Sequence, residues 1–152
     1  MTTNPLLDDN RITEFGLLVE ATRRLSRVLE ASLRNNHDMT MIEFEAMIRL
    51  GRSPDRQMSM SDLATQMVLT SGGVTRLVDR LAKSGYVTRV SCPSDRRVHW
   101  AQLTDDGIAK AMEALATHLA DLDNHFLFAM SDEQRAVVMP VLDRLRTSSG
   151  GS

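Results

Sequence analysis

The chain has 152 residues and a formal net charge of −2, a length within the range of one ordinary domain. Its hydrophobic content of 42% and charged content of 25% are those of globular proteins, which excludes a disordered or fibrous chain. No apolar stretch approaches the roughly 18 residues that a membrane span needs, and residues 1–10 lack the positive charge of a secretory signal. The single cysteine, Cys92, excludes an internal disulfide. We expect a cytoplasmic protein that does not contact a membrane.

Charge is distributed unevenly along the chain. Residues 71–100 hold six basic and two acidic side chains, whereas residues 1–70 and 101–152 are each net acidic. Because affinity for phosphates follows local rather than global charge, this basic segment indicates a surface that binds a polyanion. A solvated charged surface is the alternative interpretation.

The N-terminal part of the sequence predicts two helices. Apolar or small residues recur at steps of three and four over residues 12–33, the spacing of one face of a long first helix. Thr40 and Glu43 form the pattern of a capping box, which begins a second helix. Glycine and proline signals at 51–55 end that helix.

Two further helices are predicted in close succession. Ser59 and Asp62 begin a short helix, Thr70 caps a longer one, and Gly85 ends it. A short and a longer helix joined by a tight turn have the proportions of a helix-turn-helix. In the longer helix, four apolar residues follow the i, i+3, i+4, i+7 pattern of a buried face: Val74, Leu77, Val78 and Leu81.

The exposed side of this fourth helix carries groups suited to nucleic acid. Its hydroxyl groups can bond base edges or phosphates, its first arginine can bond a guanine bidentately, and its later cations suit the phosphate backbone. A glycine in its first turn permits close approach of the backbone. The candidates are Ser71, Gly72, Thr75, Arg76, Arg80 and Lys83.

The remainder of the chain predicts a hairpin and two helices. Residues 86–90 and 98–103 are β-rich runs on either side of a polar, cationic tip. Apolar residues then step by four and three from Ile108 to Phe126, as in a heptad seam, and Pro140 is expected to kink the last helix. Because this seam and the first helix offer more apolar surface than one small winged domain buries, we expect a second copy of the chain to cover it.

Five short segments occur in order between Thr40 and Gly107: Asp62-Leu63-Ala64, Ser71 to Leu81, Gly85-Tyr86-Val87, Asp95-Arg96-Arg97 and Leu103 to Gly107. As a set they resemble the MarR family of bacterial transcription regulators. The resemblance implies a mainly α fold, a winged helix-turn-helix with long N- and C-terminal dimerisation helices and one small β-hairpin wing. It implies a single domain over residues 1–152, with a DNA-binding lobe at 40–104 and dimerisation helices at 10–37 and 105–147.

The resemblance also implies a function. A homodimer would place its fourth helices in successive major grooves of double-stranded DNA, and a wing carrying Asp95, Arg96 and Arg97 in the flanking minor groove. Such a protein is a repressor, released from a pseudo-palindromic operator by a small-molecule effector. Members of the family commonly bind small aromatic or phenolic anions. Residues that could supply a cation, a hydrogen bond or an apolar wall for one are Arg11, Phe15, His37, Met41 and Trp100.

Several alternatives stay open. Neighbouring arginines would favour oxidation of Cys92, although a passive loop thiol is the simpler interpretation. His118, Asp121 and His125 share one helix face and could bind a divalent metal, but no second ligand cluster accompanies them. The competing functions are therefore a metal- or oxidant-responsive regulator and a winged-helix protein-interaction module without DNA binding. No enzyme motif is present, so we expect neither catalysis nor a cofactor.

Overall fold

The computed structural model describes residues 6–91 and 99–148, which form six helices and three strands. The helices are α1 Asn10–His37, α2 Met41–Arg52, α3 Met60–Gln66, α4 Ser71–Lys83, α5 Asp105–His125 and α6 Asp132–Ser148. The strands are β1 Gln57–Ser59, β2 Val87–Ser91 and β3 His99–Leu103. This arrangement confirms the predicted winged helix-turn-helix between long terminal helices.

The helices of the helix-turn-helix begin where local side chains satisfy their first backbone N–H groups. The Thr40 hydroxyl accepts from the N–H of Glu43, whose carboxylate accepts in turn from the N–H of Thr40. The hydroxyl groups of Ser59 and Thr70 accept from the N–H of Asp62 and of Gly73, and so cap α3 and α4. The predicted starts of these three helices are confirmed.

The sheet has one strand more than the predicted hairpin. β2 and β3 pair antiparallel from Val87 opposite Leu103 to Ser91 opposite His99, which confirms the hairpin. β1 pairs along the other edge of β3, so that the strand order is β1-β3-β2. β1 was not predicted, because a three-residue strand shows no period-two alternation.

The chain divides into two compact units. We call Leu29–His118 the central unit, and Met1–Val28 together with Leu119–Ser152 the terminal unit. The central unit contains the core, whose largest fully buried side chains are Leu33, Met47, Leu50, Leu63, Val74, Leu77 and Val78. In the described part of the terminal unit no residue is buried, and large apolar side chains of α1 and α6 are exposed.

The predicted seam of α5 is only partly buried. Ile108 and Leu115 pack against the core of the central unit, whereas Met112 and Leu119 are exposed. The buried positions of the helix are small: Gly107, Ala111 and Ala114. At the first of them a Cβ atom would lie 2.1 Å from the carbonyl oxygen of Tyr86, so the start of α5 lies directly against the backbone that leads into β2. None of the helices within the described ranges is long and apolar enough to cross a membrane.

Candidate nucleic-acid interface

Helix α4 separates its residues into a buried and an exposed side. Its four predicted apolar positions, Val74, Leu77, Val78 and Leu81, are buried, as predicted. The polar candidates all lie on the exposed surface: Ser71, Gly72, Thr75, Arg76, Arg80 and Lys83. The structure therefore brings the six predicted residues together along one helix.

The first turn of α4 leaves backbone donors open. Thr70 accepts from the N–H of Gly73, and no described residue accepts from the N–H groups of Ser71 and Gly72. A Cβ atom at Gly72 would meet nothing within 4 Å, so the packing of the chain does not require a glycine there. Two N–H groups at a helix N-terminus, beside a residue without a side chain, are suited to donate to a phosphate group at close range.

The cationic side chains of α4 differ in whether they form an ion pair. Arg76 and Lys83 are exposed and form no ion pair with any described carboxylate. Arg80, by contrast, donates from Nε to Oε1 of Glu43 at 3.1 Å. Arg76 and Lys83 are therefore available to an external anion, whereas Arg80 already links α4 to α2.

Glu43 is the polar link between these two helices. One of its carboxylate oxygens accepts from Arg80 and the other accepts from the backbone N–H and the hydroxyl of Thr40. Burial raises the pKa of the Glu43 carboxyl, but these three hydrogen bonds outweigh burial and hold the pKa below its usual range. The spacing of Thr40 and Glu43 predicted their contact. The contact of Glu43 with Arg80 was not predicted, since 37 residues separate the partners.

A second ion pair connects α4 to the hairpin. Arg89 on β2 donates from Nη2 to Oδ1 of Asp79 at 2.6 Å, and the same nitrogen lies 3.5 Å from the carbonyl oxygen of Thr75. This contact ties the base of the hairpin to the middle of α4. This partner of Arg89 was not predicted from the sequence, because no short-range pattern indicates it.

The tip of the hairpin lies outside the described residues, which stop at Ser91 and resume at His99. The predicted wing residues Asp95, Arg96 and Arg97 fall within this interval, and so does Cys92. Their contacts stay predictions.

The candidate effector residues are distributed over several places. In the terminal unit, Arg11 pairs with Asp9 at 2.6 Å and borders, together with Phe15, a surface cavity of about 550 Å³. In the central unit, His37 is buried with Nε2 2.8 Å from the Thr117 hydroxyl oxygen.

The other two effector candidates of the central unit line separate cavities. Met41 borders one of about 660 Å³ with Arg34 and Arg80, and Trp100 borders another of about 450 Å³ with Met58. His37 lines neither of them. Within the central unit, the structure therefore does not gather the predicted effector residues around one cavity.

The metal-binding alternative finds no ligand set. Across residues 6–91 and 99–148, no group of three His, Cys, Asp or Glu side chains is placed to hold a metal ion, and His118, Asp121 and His125 form no such group. The ring of His118 instead packs against Phe44, with 4.8 Å between the ring centroids.

Known proteins are similar to this chain in sequence. Residues 39–99 match the sequence model of the MarR family. The HTH-type transcriptional regulator MhqR of Bacillus subtilis is 27% identical over 111 residues, which cover 73% of this chain and 74% of MhqR.

Solved structures from Streptomyces coelicolor share the fold. The MarR family transcriptional regulator AbsC superimposes with a TM-score of 0.82 at 27% identity, over 91% of this chain and 96% of AbsC. Sco3205, a MarR family transcriptional regulator solved in complex with DNA, superimposes with a TM-score of 0.87 at 25% identity, over 92% of this chain and 91% of Sco3205.

Proposed function

We propose that this chain, whose residues 39–99 match the sequence model of the MarR family, is a DNA-binding transcription regulator of that family and a homodimeric repressor of a pseudo-palindromic operator. In this proposal α4 enters the major groove and reads the operator sequence. A small-molecule effector then releases the protein from DNA. The protein acts in the cytoplasm, and the proposal includes no catalytic step.

The exposed side of α4 is the observation that carries the proposal. Arg76, which no described carboxylate neutralises, provides the bidentate donor that a guanine edge requires. The Thr75 hydroxyl donates to the carbonyl oxygen of Ser71 at 2.8 Å, so it can offer a lone pair to an amino group of adenine or cytosine. Lys83, near the other end of the helix, is assigned to the phosphate backbone.

The remaining candidates position the protein on DNA. The open N–H groups of Ser71 and Gly72 are assigned to one phosphate, and Arg80 reaches a second phosphate from its contact with Glu43. Arg96 and Arg97 are assigned to the minor groove, and Asp95 is assigned to hold an arginine within the wing by a charge-assisted hydrogen bond. The lobe at residues 40–104 thus holds the DNA contacts, and the helices at 10–37 and 105–147 form the dimer.

The apolar surface of the terminal unit supports dimerisation. Phe15 is 67% exposed and Leu17 is 64% exposed on α1, and Val137 is 68% exposed on α6. Large apolar side chains left exposed on long helices are available to an association surface. A two-fold dimer would present its two α4 helices to half-sites spaced about one helical turn apart, roughly 10 base pairs.

The effector is proposed to be a small aromatic or phenolic anion. Met41 and Trp100 border separate cavities of the central unit, His37 borders neither of these two, and Arg11 and Phe15 border a cavity of the terminal unit. Each of these places is therefore tested by its own variants. The expected result is that one such variant retains DNA binding and no longer responds to the anion.

The test of DNA binding is a fluorescence-anisotropy titration against the DNA upstream of the protein's own gene. It is run at two salt concentrations with random duplex as competitor. Tight, competitor-resistant binding that weakens with salt is expected. Binding no tighter than to random duplex would contradict the proposal for that DNA and favour the protein-interaction alternative.

Two substitutions on α4 separate base contacts from backbone contacts. Arg76→Ala is expected to reduce operator binding about tenfold or more while changing binding to random duplex less, because a bidentate base contact is lost. Lys83→Ala is the matched control, expected to weaken binding to both duplexes and to flatten the salt dependence. Equal losses on both duplexes for Arg76→Ala would contradict its assignment to a base.

A further inference from the structure

The turn between α3 and α4 holds a valine in an unusual backbone conformation. The N–H of Leu69 donates to the carbonyl oxygen of Ala64, and the N–H of Val68 donates to that of Thr65. This pair of bonds is the Schellman motif that ends many helices, and it places Val68 at a φ of 54°. Glycine is the usual residue at such a position because it has no Cβ atom, whereas a β-branched side chain is strained there.

The Val68 side chain obtains almost no packing within its own chain. It is 91% exposed, more than any other large hydrophobic residue that the structure describes. A single exposed apolar residue on a protein surface needs no explanation. An exposed apolar residue that also strains the backbone does, since backbone strain of this kind concentrates at functional sites.

The position of Val68 indicates which site this is. It precedes the N-cap Thr70 by two residues, and the exposed residues Ser71 and Gly72 follow immediately. In a helix-turn-helix this end of α4 is the one that contacts base edges. The side chain of Val68 has no hydrogen-bond donor or acceptor, so this side chain can contribute to DNA binding only by apolar contact.

The apolar group that base pairs present in the major groove is the C5-methyl group of thymine. We infer that Val68 is a specificity-determining residue whose methyl groups contact a thymine methyl group in each operator half-site. This inference rests on the proposed function, because it requires α4 to enter the major groove.

The test uses a duplex that the wild-type protein selects from random DNA. Each thymine of one half-site is replaced in turn by deoxyuridine, which removes only the methyl group. At one position the replacement is expected to weaken wild-type binding about fourfold, the effect of losing one buried methyl group. The same replacement is expected to leave the affinity of Val68→Gly unchanged, so that the two changes are coupled.

Two variants keep the result independent of folding. Val68→Gly and Val68→Asn both suit a positive φ, so each is expected to melt at or above the wild-type temperature while binding the selected duplex more weakly. Loss of the sensitivity to this deoxyuridine replacement in both variants supports the inference. If deoxyuridine replacement changes the affinity of wild type and variants equally at every thymine, the inference is overturned. Should the variants in that case bind all duplexes more weakly, Val68 would contact the sugar-phosphate backbone instead. Failure to select any duplex would overturn the proposed function, and this inference with it.

Discussion

The two units of the molecule treat their apolar side chains in opposite ways. All the buried hydrophobic residues that the structure describes lie in the central unit, from Leu29 to Ala114. In the terminal unit, leucines, valines and a phenylalanine of comparable size stay exposed on α1 and α6. Because burial of apolar surface is the main driving force of folding, the central unit has the means to fold within one chain. The terminal helices have most to gain from a second chain.

The largest effect on the free energy of unfolding is expected when a leucine of the central unit is changed to alanine, compared with the same change in the terminal unit. Leu77→Ala empties part of the core under α4 and is expected to lower the free energy of unfolding by about 2–5 kcal/mol at any protein concentration. Leu17→Ala, at a side chain that is 64% exposed, is the matched control. Its cost is expected to be small in dilute protein and to grow with protein concentration, as for a residue that only a dimer buries.

Urea unfolding at two protein concentrations measures both costs. Equal, concentration-independent losses for Leu77→Ala and Leu17→Ala would remove the distinction between the two units.

A smaller effect is expected when an exposed apolar residue of α6 is made polar. Val141→Asn is expected to raise the dissociation constant of the dimer by about tenfold or more, since burial of a valine contributes roughly 1.5 kcal/mol per side chain. Arg135→Asn, at another exposed position of the same helix, is the control and is expected to leave dimerisation unchanged. Sedimentation-velocity centrifugation over a dilution series gives the dissociation constants. If Val141→Asn dimerises like the wild type, this part of α6 is not the interface.

The smallest effect is expected at the polar contact between α2 and α4. The pKa of Glu43 is lower in the folded protein than its ordinary value near 4.5, so the unfolded chain takes up its proton first as the pH falls. The resulting stability is present above that ordinary value and is lost as the pH falls through the folded pKa. Glu43→Gln is expected to cost about 1 kcal/mol at pH 7, a modest value because the Arg80 partner is half exposed.

The difference between Glu43→Gln and wild type is expected to shrink in acid. Glu45→Gln changes an exposed carboxyl of the same helix that forms no ion pair within the described residues, and it serves as the control. Chemical denaturation at neutral pH and below pH 4 measures both variants, with pH chosen around the ordinary glutamate pKa. A pH-independent loss for Glu43→Gln would show that its carboxylate charge does not link the two helices.

Local rules account for the parts of the fold that were predictable from sequence. The caps at Thr40, Ser59 and Thr70 involve partners three residues away, so their patterns are visible in a short window. The buried face of α4 follows from helical periodicity alone. The contacts of Arg80 with Glu43 and of Arg89 with Asp79 join distant segments, and no local pattern indicates them.

The heptad pattern of large side chains does not show which residues of α5 pack against their own chain. The heptad pattern is carried by large side chains, yet Met112 on that seam is exposed while Gly107, Ala111 and Ala114 are buried. Small residues let a helix approach its neighbours closely, and a pattern search based on large apolar residues passes over them. The strain at Val68 was also not predicted. Its segment has the sequence of an ordinary turn, and only the backbone angle reveals the strain.

The position of Trp100 has a practical consequence for spectroscopy. It is the only tryptophan of the chain, and it lies on the middle strand β3 opposite Ser59 on β1 and Val90 on β2. Its fluorescence therefore reports the sheet of the central unit, whereas circular dichroism weights all the helices together. Independent probes give the same unfolding midpoint only when unfolding is a single cooperative step. Different midpoints from fluorescence and from circular dichroism would therefore resolve the melting of the two units without any added label.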